Sequence, residues 1–436
     1  MTQIRTLDLR SQSFSESEVS RILPRAKMDT SAASQIAAPI VDSIRTNGLA
    51  AIRAQSIEID GFDPDPVRVG ADEIQHAVSA LDSELRKALE TAINRNRKVS
   101  EAAMPRDFSV EISPGAVVSQ RYVPIESVGL YAPGGRAVYP SSVVMNVVPA
   151  QVAGVPSIFL ASPGQKAFDG RPHPTVLAVA GLLGVENVFC MGGPSAIAAF
   201  TFGVSDIQLP PVGLIAGPGN SYVAAAKRIV SDFVAIDSEA GTTEIMIIAD
   251  GDANPRYVAA DLISQAEHDP NAAAVLITPS KELIDEVLIE LQTQVEKAKY
   301  SDRIIQALGG QQSALVLVDN LDQAAQLANA YATEHLELLV ADPGALAQKI
   351  TNAAAIFLGE YSPVSLGDYL AGSSHVLPTG GKAKFQSGLG VHTFLRPQQI
   401  INFGQSGLAE VKDQLQLIAS AEDLPAHGEA VAKRFN

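Results

Sequence analysis

The feature that most constrains this chain is a regular exchange of short, continuous apolar runs with helix-patterned segments, from Ser127 to about Gly359. Ser157-Ile-Phe-Leu-Ala, Asn187-Val-Phe-Cys-Met, Val212-Gly-Leu-Ile-Ala and Glu244 to Ala249 are such runs. Ala274-Val-Leu-Ile-Thr, Ala314-Leu-Val-Leu-Val, Leu336 to Val340 and Ala355-Ile-Phe-Leu-Gly continue the series. A strand that is apolar at successive positions has to be covered on both faces. Parallel sheets with helices above and below meet that condition. The intervening segments 143–153, 174–183, 194–202, 221–230, 255–268, 281–297, 322–331 and 343–352 carry helical patterning. Asn254-Pro255 is a strong helix start, because proline at the first position loses no hydrogen bond. The pattern divides into two α/β modules with a switch near residue 240.

Residues 1 to about 105 read as helical, with Ile74, Val78, Leu81, Leu85 and Leu89 at helical spacing and Pro64 and Pro66 as breaks. After about Ser387 the chain reads as a small helical tail, 408–420 and then 427–434. With 436 residues, 46% apolar and 18% charged, the chain can build the large cores of two or three domains. Its net charge of −16 excludes a non-specific binder of nucleic acid or anionic lipid, and for an anionic ligand any positive potential has to be local. Cys190 is the only cysteine, which excludes a disulfide framework or a thiolate zinc knuckle within one chain. Met1 to Arg25 lacks the apolar stretch of a targeting signal, and no apolar run reaches 18 residues, so a soluble cytoplasmic protein is expected.

Several residue groups can carry chemistry. Gly217-Pro-Gly-Asn220, between a strand and a helix, offers backbone N–H groups to an anion, or is an ordinary tight connection. It is not a Gly-x-Gly-x-x-Gly fingerprint, since Tyr222 stands where the third glycine would be. Gln265 and His268, three apart, share a helix face and suit two ligands of one metal, or His268 is a helix-terminal imidazole. Glu334-His335 opens a strand and pairs a carboxylate with an imidazole, a set that can divide general-base work or form a charged turn. Asp368 and His375 lie in a Gly/Ser-rich loop, and Glu422 and His427 in the tail, where they can equally be ligands or capping residues. Amide, imidazole and carboxylate without thiolate is a donor set for zinc or manganese.

These segments together resemble the histidinol dehydrogenase family. The resemblance rests on Val128-Gly-Leu-Tyr-Ala-Pro-Gly-Gly, Tyr139-Pro-Ser-Ser-Val, Gly217-Pro-Gly-Asn with Ala224-Ala-Ala-Lys-Arg, and Ser264-Gln-Ala-Glu-His-Asp-Pro. Glu334-His-Leu-Glu-Leu, Gly367-Asp-Tyr, His375-Val-Leu-Pro-Thr and Glu422-Asp-Leu-Pro-Ala-His follow in order, so that it spans nearly the whole chain from about residue 25. It implies oxidation of L-histidinol to L-histidine through histidinaldehyde, with two NAD+ reduced, as the last step of histidine biosynthesis. The same resemblance implies zinc ligands at Gln265, His268, Asp368 and His427, with Glu334 and His335 as the catalytic bases. Substrate contacts fall on Thr243, Gln265, His268, His335, Asp368, Glu422, His427 and His375, and NAD contacts on Tyr131, Ser195 and Asn220.

The fold it implies is α/β, two incomplete Rossmann-like modules with parallel sheets plus small helical N- and C-terminal segments. The expected division is an N-terminal helical segment 1–25, a first domain of 26–130 with 241–386 holding metal and catalytic residues, a second domain 131–240 on the NAD side, and a tail 387–436. The tail is expected to reach the site of the other subunit in a homodimer. Two departures stand out: Gly192-Gly-Pro-Ser195 replaces Gly-Gly-Ala-Gln, removing a long amide from the NAD side, and Thr242 replaces a proline. They leave one alternative, a paralogous NAD-dependent dehydrogenase of another polar amino alcohol or diol, and the Gly217 loop leaves another, a non-catalytic anion-binding protein.

Overall fold

The computed structural model describes residues 4–26, 30–134, 138–239 and 241–435; Gly135 of the glycine pair and Ala240 lie outside them. Among the described residues the strands form three sheets. A six-stranded parallel sheet runs in the order Arg5–Asp8, Ala314–Leu317, Ala273–Thr278, Glu244–Ala249, His335–Leu339, Ala355–Leu358. A five-stranded parallel sheet runs Val188–Cys190, Ser157–Ser162, Ser127–Tyr131, Leu214–Ala216, Ala235–Ile236. The α/β reading with two parallel-sheet modules holds. Its physical basis is plain in the central strand Glu244–Ala249, where Ile245 to Ala249 are fully buried between helical layers.

The division of the chain differs from expectation in three places. Arg5–Asp8, within the segment read as helical, is a strand that pairs in parallel with Ala314–Leu317. Four residues are too few for periodicity to reveal, and the pairing is supplied by a segment some 300 positions away in the chain. The helices Thr30–Ile59, Ala71–Ala80 and Ser83–Ala102 pack on the helices of the five-stranded module, not on the module of residues 241–386. Their apolar faces decide it: Ile40, Val41, Ile44 and Ile52 share a core with Phe200 and Val223, and Ile74, Leu89 and Ile93 share one with Val144 and Leu177. The tail is not wholly helical, because Leu395–Phe403 is a nine-residue strand lying antiparallel to Ala116–Pro124, with Phe108–Ser113 beyond it. This third sheet is exposed over much of its surface, so its strands carry no continuous apolar signal. The tail helices Gln405–Ala421 and Pro425–Ala432 pack against each other and leave Ile401, Leu417 and Ile418 largely exposed.

Candidate active site

One cavity of about 1020 Å³ collects most of the residues expected to carry chemistry. The five-stranded sheet meets it with its carboxyl ends. Tyr131 closes the strand Ser127–Tyr131, Gly192 and Gly193 follow Val188–Cys190, and the loop Gly217–Asn220 follows Leu214–Ala216. The strands ending at Tyr131 and Ala216 are neighbours from which the chain order runs off in opposite directions, the crevice where open α/β sheets bind ligands. The six-stranded sheet meets the same cavity with its amino ends. Thr243 precedes the strand Glu244–Ala249, and Glu334 and His335 open the strand His335–Leu339. His268, just beyond the helix Pro255–Ala266, and Asp368, on the short helix Val364–Tyr369, complete this wall with His375.

The tautomer of His335 is set by its surroundings. Its Nδ1 lies 3.1 Å from the Glu244 carbonyl oxygen, which can only accept, so Nδ1 carries the proton and donates. Nε2 is then the lone pair, and among the described residues it is buried without a hydrogen-bond partner. Burial holds the imidazole below its usual pKa, keeping it neutral and able to take a proton. Glu334 lies alongside, its Oε2 3.5 Å from His335 Nδ1. That oxygen accepts from the Thr243 hydroxyl at 2.6 Å and from the Glu244 N–H at 2.9 Å. Burial nevertheless pushes the Glu334 carboxyl up to about 8. The neutral imidazole can act directly as a general base, and the neighbouring carboxyl becomes one on ionising, toward pH 8.

The Thr243 hydroxyl also accepts a hydrogen bond from Gln265 Nε2, which leaves Gln265 Oε1 as the atom free to act as a ligand. Asp368 exerts its charge on His268, His335 and His375, and raises the pKa of each against the lowering effect of burial. His375 is held from both sides, with Nδ1 3.0 Å from the Asp368 carbonyl and Nε2 3.0 Å from Ser142 Oγ. Its contact is thus with protein, and Ser142 is a site residue that sequence reasoning missed although it lies in the quoted Tyr139-Pro-Ser-Ser motif. Glu422 and His427 are exposed on the tail and do not line the cavity. His392 is likewise exposed and away from it.

Behind the site lies a carboxyl pair that the sequence did not signal. Glu337, fully buried on the same face of its strand as His335, accepts from the Val364 N–H at 2.8 Å, at the start of the helix that carries Asp368. Asp261, on the helix that carries Gln265, faces the same carboxyl. Burial raises both pKa values, Asp261 to about 6 against the lowering effect of its hydrogen bond with Glu337, and the charge of Asp261 pushes Glu337 up further.

On the other wall, Tyr131, Ser195 and Asn220 all line the cavity. The Tyr131 hydroxyl accepts from the Gly193 N–H at 3.1 Å, and its burial raises the phenol to about 12. Asn220 caps the helix Ser221–Val230, accepting from the N–H groups of Tyr222 and Val223, each at 3.1 Å. Ser195 sits buried in the first turn of the helix Gly193–Phe202. Two helix starts, with the positive ends of their dipoles, therefore converge on one wall and offer a cradle for an anion such as a pyrophosphate. For a metal, His268 and Asp368 offer donors on the opposite wall, with Gln265 buried behind it against Thr243. Among the described residues no cluster of three or more His, Cys, Asp or Glu side chains forms a complete cation site.

Comparison with known proteins is decisive. A family model described as histidinol dehydrogenase matches residues 23–435. The chain belongs to the histidinol dehydrogenase family. A curated histidinol dehydrogenase of Leifsonia xyli subsp. xyli is 54% identical over 432 residues, covering 99% of each chain. One of Thermobifida fusca is 53% identical over 413 residues, covering 95% of this chain and 94% of the relative. A crystal structure of histidinol dehydrogenase from Elizabethkingia anophelis superimposes with a TM-score of 0.94 at 32% identity, over 100% of this chain and 99% of that one. As a histidinol dehydrogenase family member the chain is an enzyme, an oxidoreductase, and the two-walled cavity is its candidate active site.

Proposed function

We propose that this chain oxidises L-histidinol to L-histidine through histidinaldehyde with two NAD+, as a zinc enzyme, in the cytoplasm and in the final step of histidine biosynthesis. The observation that carries the reading is His335: Nδ1 is committed to the Glu244 carbonyl, so Nε2 is left as a base beside Glu334 in a cavity whose far wall is an anion cradle. His335 Nε2 accepts the alcohol proton, without which a hydride cannot leave the carbinol carbon. Glu334, through the oxygen not held by Thr243 and the Glu244 N–H, takes a proton from the water that converts the aldehyde to its hydrate, the species able to lose a second hydride. The aldehyde stays in the cavity between the two steps and is not released to solvent.

The donor set fits zinc in kind, with Gln265 Oε1, His268 and Asp368 as ligands, and fits it incompletely in number. Zinc, when bound, supplies a fixed anchor for the substrate's nitrogens and Lewis acidity. NAD+, when bound along Tyr131, Ser195 and Asn220, supplies the hydride acceptor. The missing donor is the argument for a homodimer with shared sites. His427 and Glu422 are exposed outside their own cavity, next to a tail whose Leu417 and Ile418 are uncovered, and they serve the partner's site. Purified zinc-loaded protein is expected to form two NADH per histidinol consumed. Zinc-loaded protein that turns over a diol or another amino alcohol but not histidinol refutes the substrate assignment.

A further inference from the structure

Beneath the anion cradle lies an ion pair that the reaction does not use. Lys227 and Asp237 are both almost wholly buried, with side-chain exposures of 2% and 3%, and their charged atoms are 2.6 Å apart. Their shorter remaining contacts converge on one residue. Lys227 Nζ donates to the Gly217 carbonyl at 2.6 Å, and Asp237 Oδ2 accepts from the Gly217 N–H at 2.9 Å. Lys227 Nζ also lies 3.4 Å from the Ser238 carbonyl. Gly217 is thus gripped at both ends by the two halves of one ion pair.

The gripped residue could not adopt its place with a side chain. Its φ is +123°, and a Cβ there would stand 2.2 Å from the Tyr131 carbonyl oxygen. Gly217 is therefore pressed onto the backbone of Tyr131, whose hydroxyl in turn takes the Gly193 N–H. Three residues further along the loop is Asn220, which caps the next helix. The clamp thus reaches every element of the cradle: the Gly217–Asn220 loop directly, Tyr131 by backbone contact, and the start of the helix Gly193–Phe202 through the Tyr131 hydroxyl.

A buried ion pair is a poor way to gain stability, since desolvation consumes most of the attraction and an apolar pair of equal size does as well or better. It is a good way to hold a backbone in one position, because both charges need their hydrogen bonds satisfied and only one loop geometry does so. We propose that Lys227 and Asp237 are positioning residues for the dinucleotide, acting through Gly217 to hold Asn220 and Tyr131 in binding register. The proposal rests on the reading that this wall binds NAD+.

The test is calorimetric titration of NAD+ into the full-length enzyme, with histidinol kinetics measured alongside. Lys227→Met leaves Asp237 buried and unpaired and is expected to lose both stability and NAD+ affinity. Lys227→Met with Asp237→Asn removes the unpaired charge but still leaves the Gly217 carbonyl without its donor. The double variant is expected to regain the parent's circular dichroism and melting temperature, with its NAD+ Kd raised about tenfold or more. Its histidinol KM and its kcat at saturating NAD+ are expected to stay within about threefold of the parent. A double variant that regains stability and binds NAD+ as the parent does overturns the proposal, since the pair is then structural only. An equal loss in NAD+ and histidinol parameters overturns it too. Should the double variant not fold, Asp237→Asn alone, whose oxygen turned to Lys227 leaves the Gly217 N–H without an acceptor, is read by its NAD+ Kd against its histidinol KM, and a parent-like NAD+ Kd overturns the proposal. A parent enzyme that binds no NAD+ refutes the underlying reading instead, and the proposal with it.

Discussion

Glu334→Gln separates what the buried carboxyl does for chemistry from what it costs the fold. Glutamine has the same shape, and its Oε1 can accept both hydrogen bonds that Glu334 receives, from the Thr243 hydroxyl and the Glu244 N–H. What it removes is the ionisation. A carboxyl raised from 4.5 to about 8 binds its proton more tightly in the folded chain than in the unfolded one. At about 1.4 kcal/mol per pKa unit, ionising it in the fold costs up to roughly 5 kcal/mol, and relaxation of the site reduces this to about 2–4 kcal/mol.

The direction follows from linkage. From this ionisation alone, the parent matches the variant below pH 4.5, loses stability relative to it as pH rises, and carries the whole penalty above about pH 8. Urea denaturation of metal-free parent and variant at intervals between pH 4.5 and 8.5 should show the glutamine variant gaining steadily. An offset that does not change with pH, or a parent more stable at pH 8, refutes the assignment of a penalised carboxylate. In the zinc-loaded enzyme the same substitution should leave the first oxidation and block the second, so that about one NADH is formed per histidinol and aldehyde accumulates; two NADH at the parent's rate would remove Glu334 from the hydration step.

His335→Gln removes the proton acceptor and should lower kcat by about 10²–10⁴ with the NAD+ Kd unchanged, read by steady-state kinetics and titration. Ser195→Gln restores a long amide at the first turn of the helix Gly193–Phe202 and should lower the NAD+ KM; an unchanged or higher KM shows that Ser195 is not a cofactor position in this chain. Equal amounts of Glu334→Gln and His427→Ala protein, denatured and refolded together, should regain about a quarter of the parent's rate of histidine formation if the tail serves the partner, because half of the dimers are then hybrids with one intact site of two. No regained activity places His427 in its own subunit's site.

The parallel modules were legible because their strands are buried on both faces, so that sequences such as Glu244 to Ala249 show an apolar residue at nearly every position. The third sheet was hidden for the opposite reason: Phe108, Val110 and Ile112 are exposed on an edge strand, and Leu395–Phe403 owes its conformation to its pairing with residues 116–124. The candidate site was legible where one motif placed two functional groups together, as in Glu334-His335, and where motifs kept their order. It was not legible where a role is created by a partner distant in sequence. The Glu244 carbonyl fixes the His335 tautomer, Ser142 holds His375, and Glu337 joins Asp261 to the start of the Asp368 helix, all across gaps that no local pattern spans. The placement of residues 30–102 failed for the same reason, since an amphipathic face states that it is covered and not by what.

The opposed orientation of the two sheets has an electrical consequence. Because the five-stranded module presents its carboxyl ends, the helices that follow, Gly193–Phe202 and Ser221–Val230, point their amino termini at the cavity. Because the six-stranded module presents its amino ends, the helix Pro255–Ala266 points its carboxyl terminus there, beside His268. Aligned peptide dipoles place about half a positive charge at each amino terminus and half a negative charge at the carboxyl terminus. The cavity is therefore polarised across its width, attractive to anions on one wall and to cations on the other, whatever the net charge of −16 on the whole chain. A ligand charged negatively at one end and positively at the other would enter it in only one orientation.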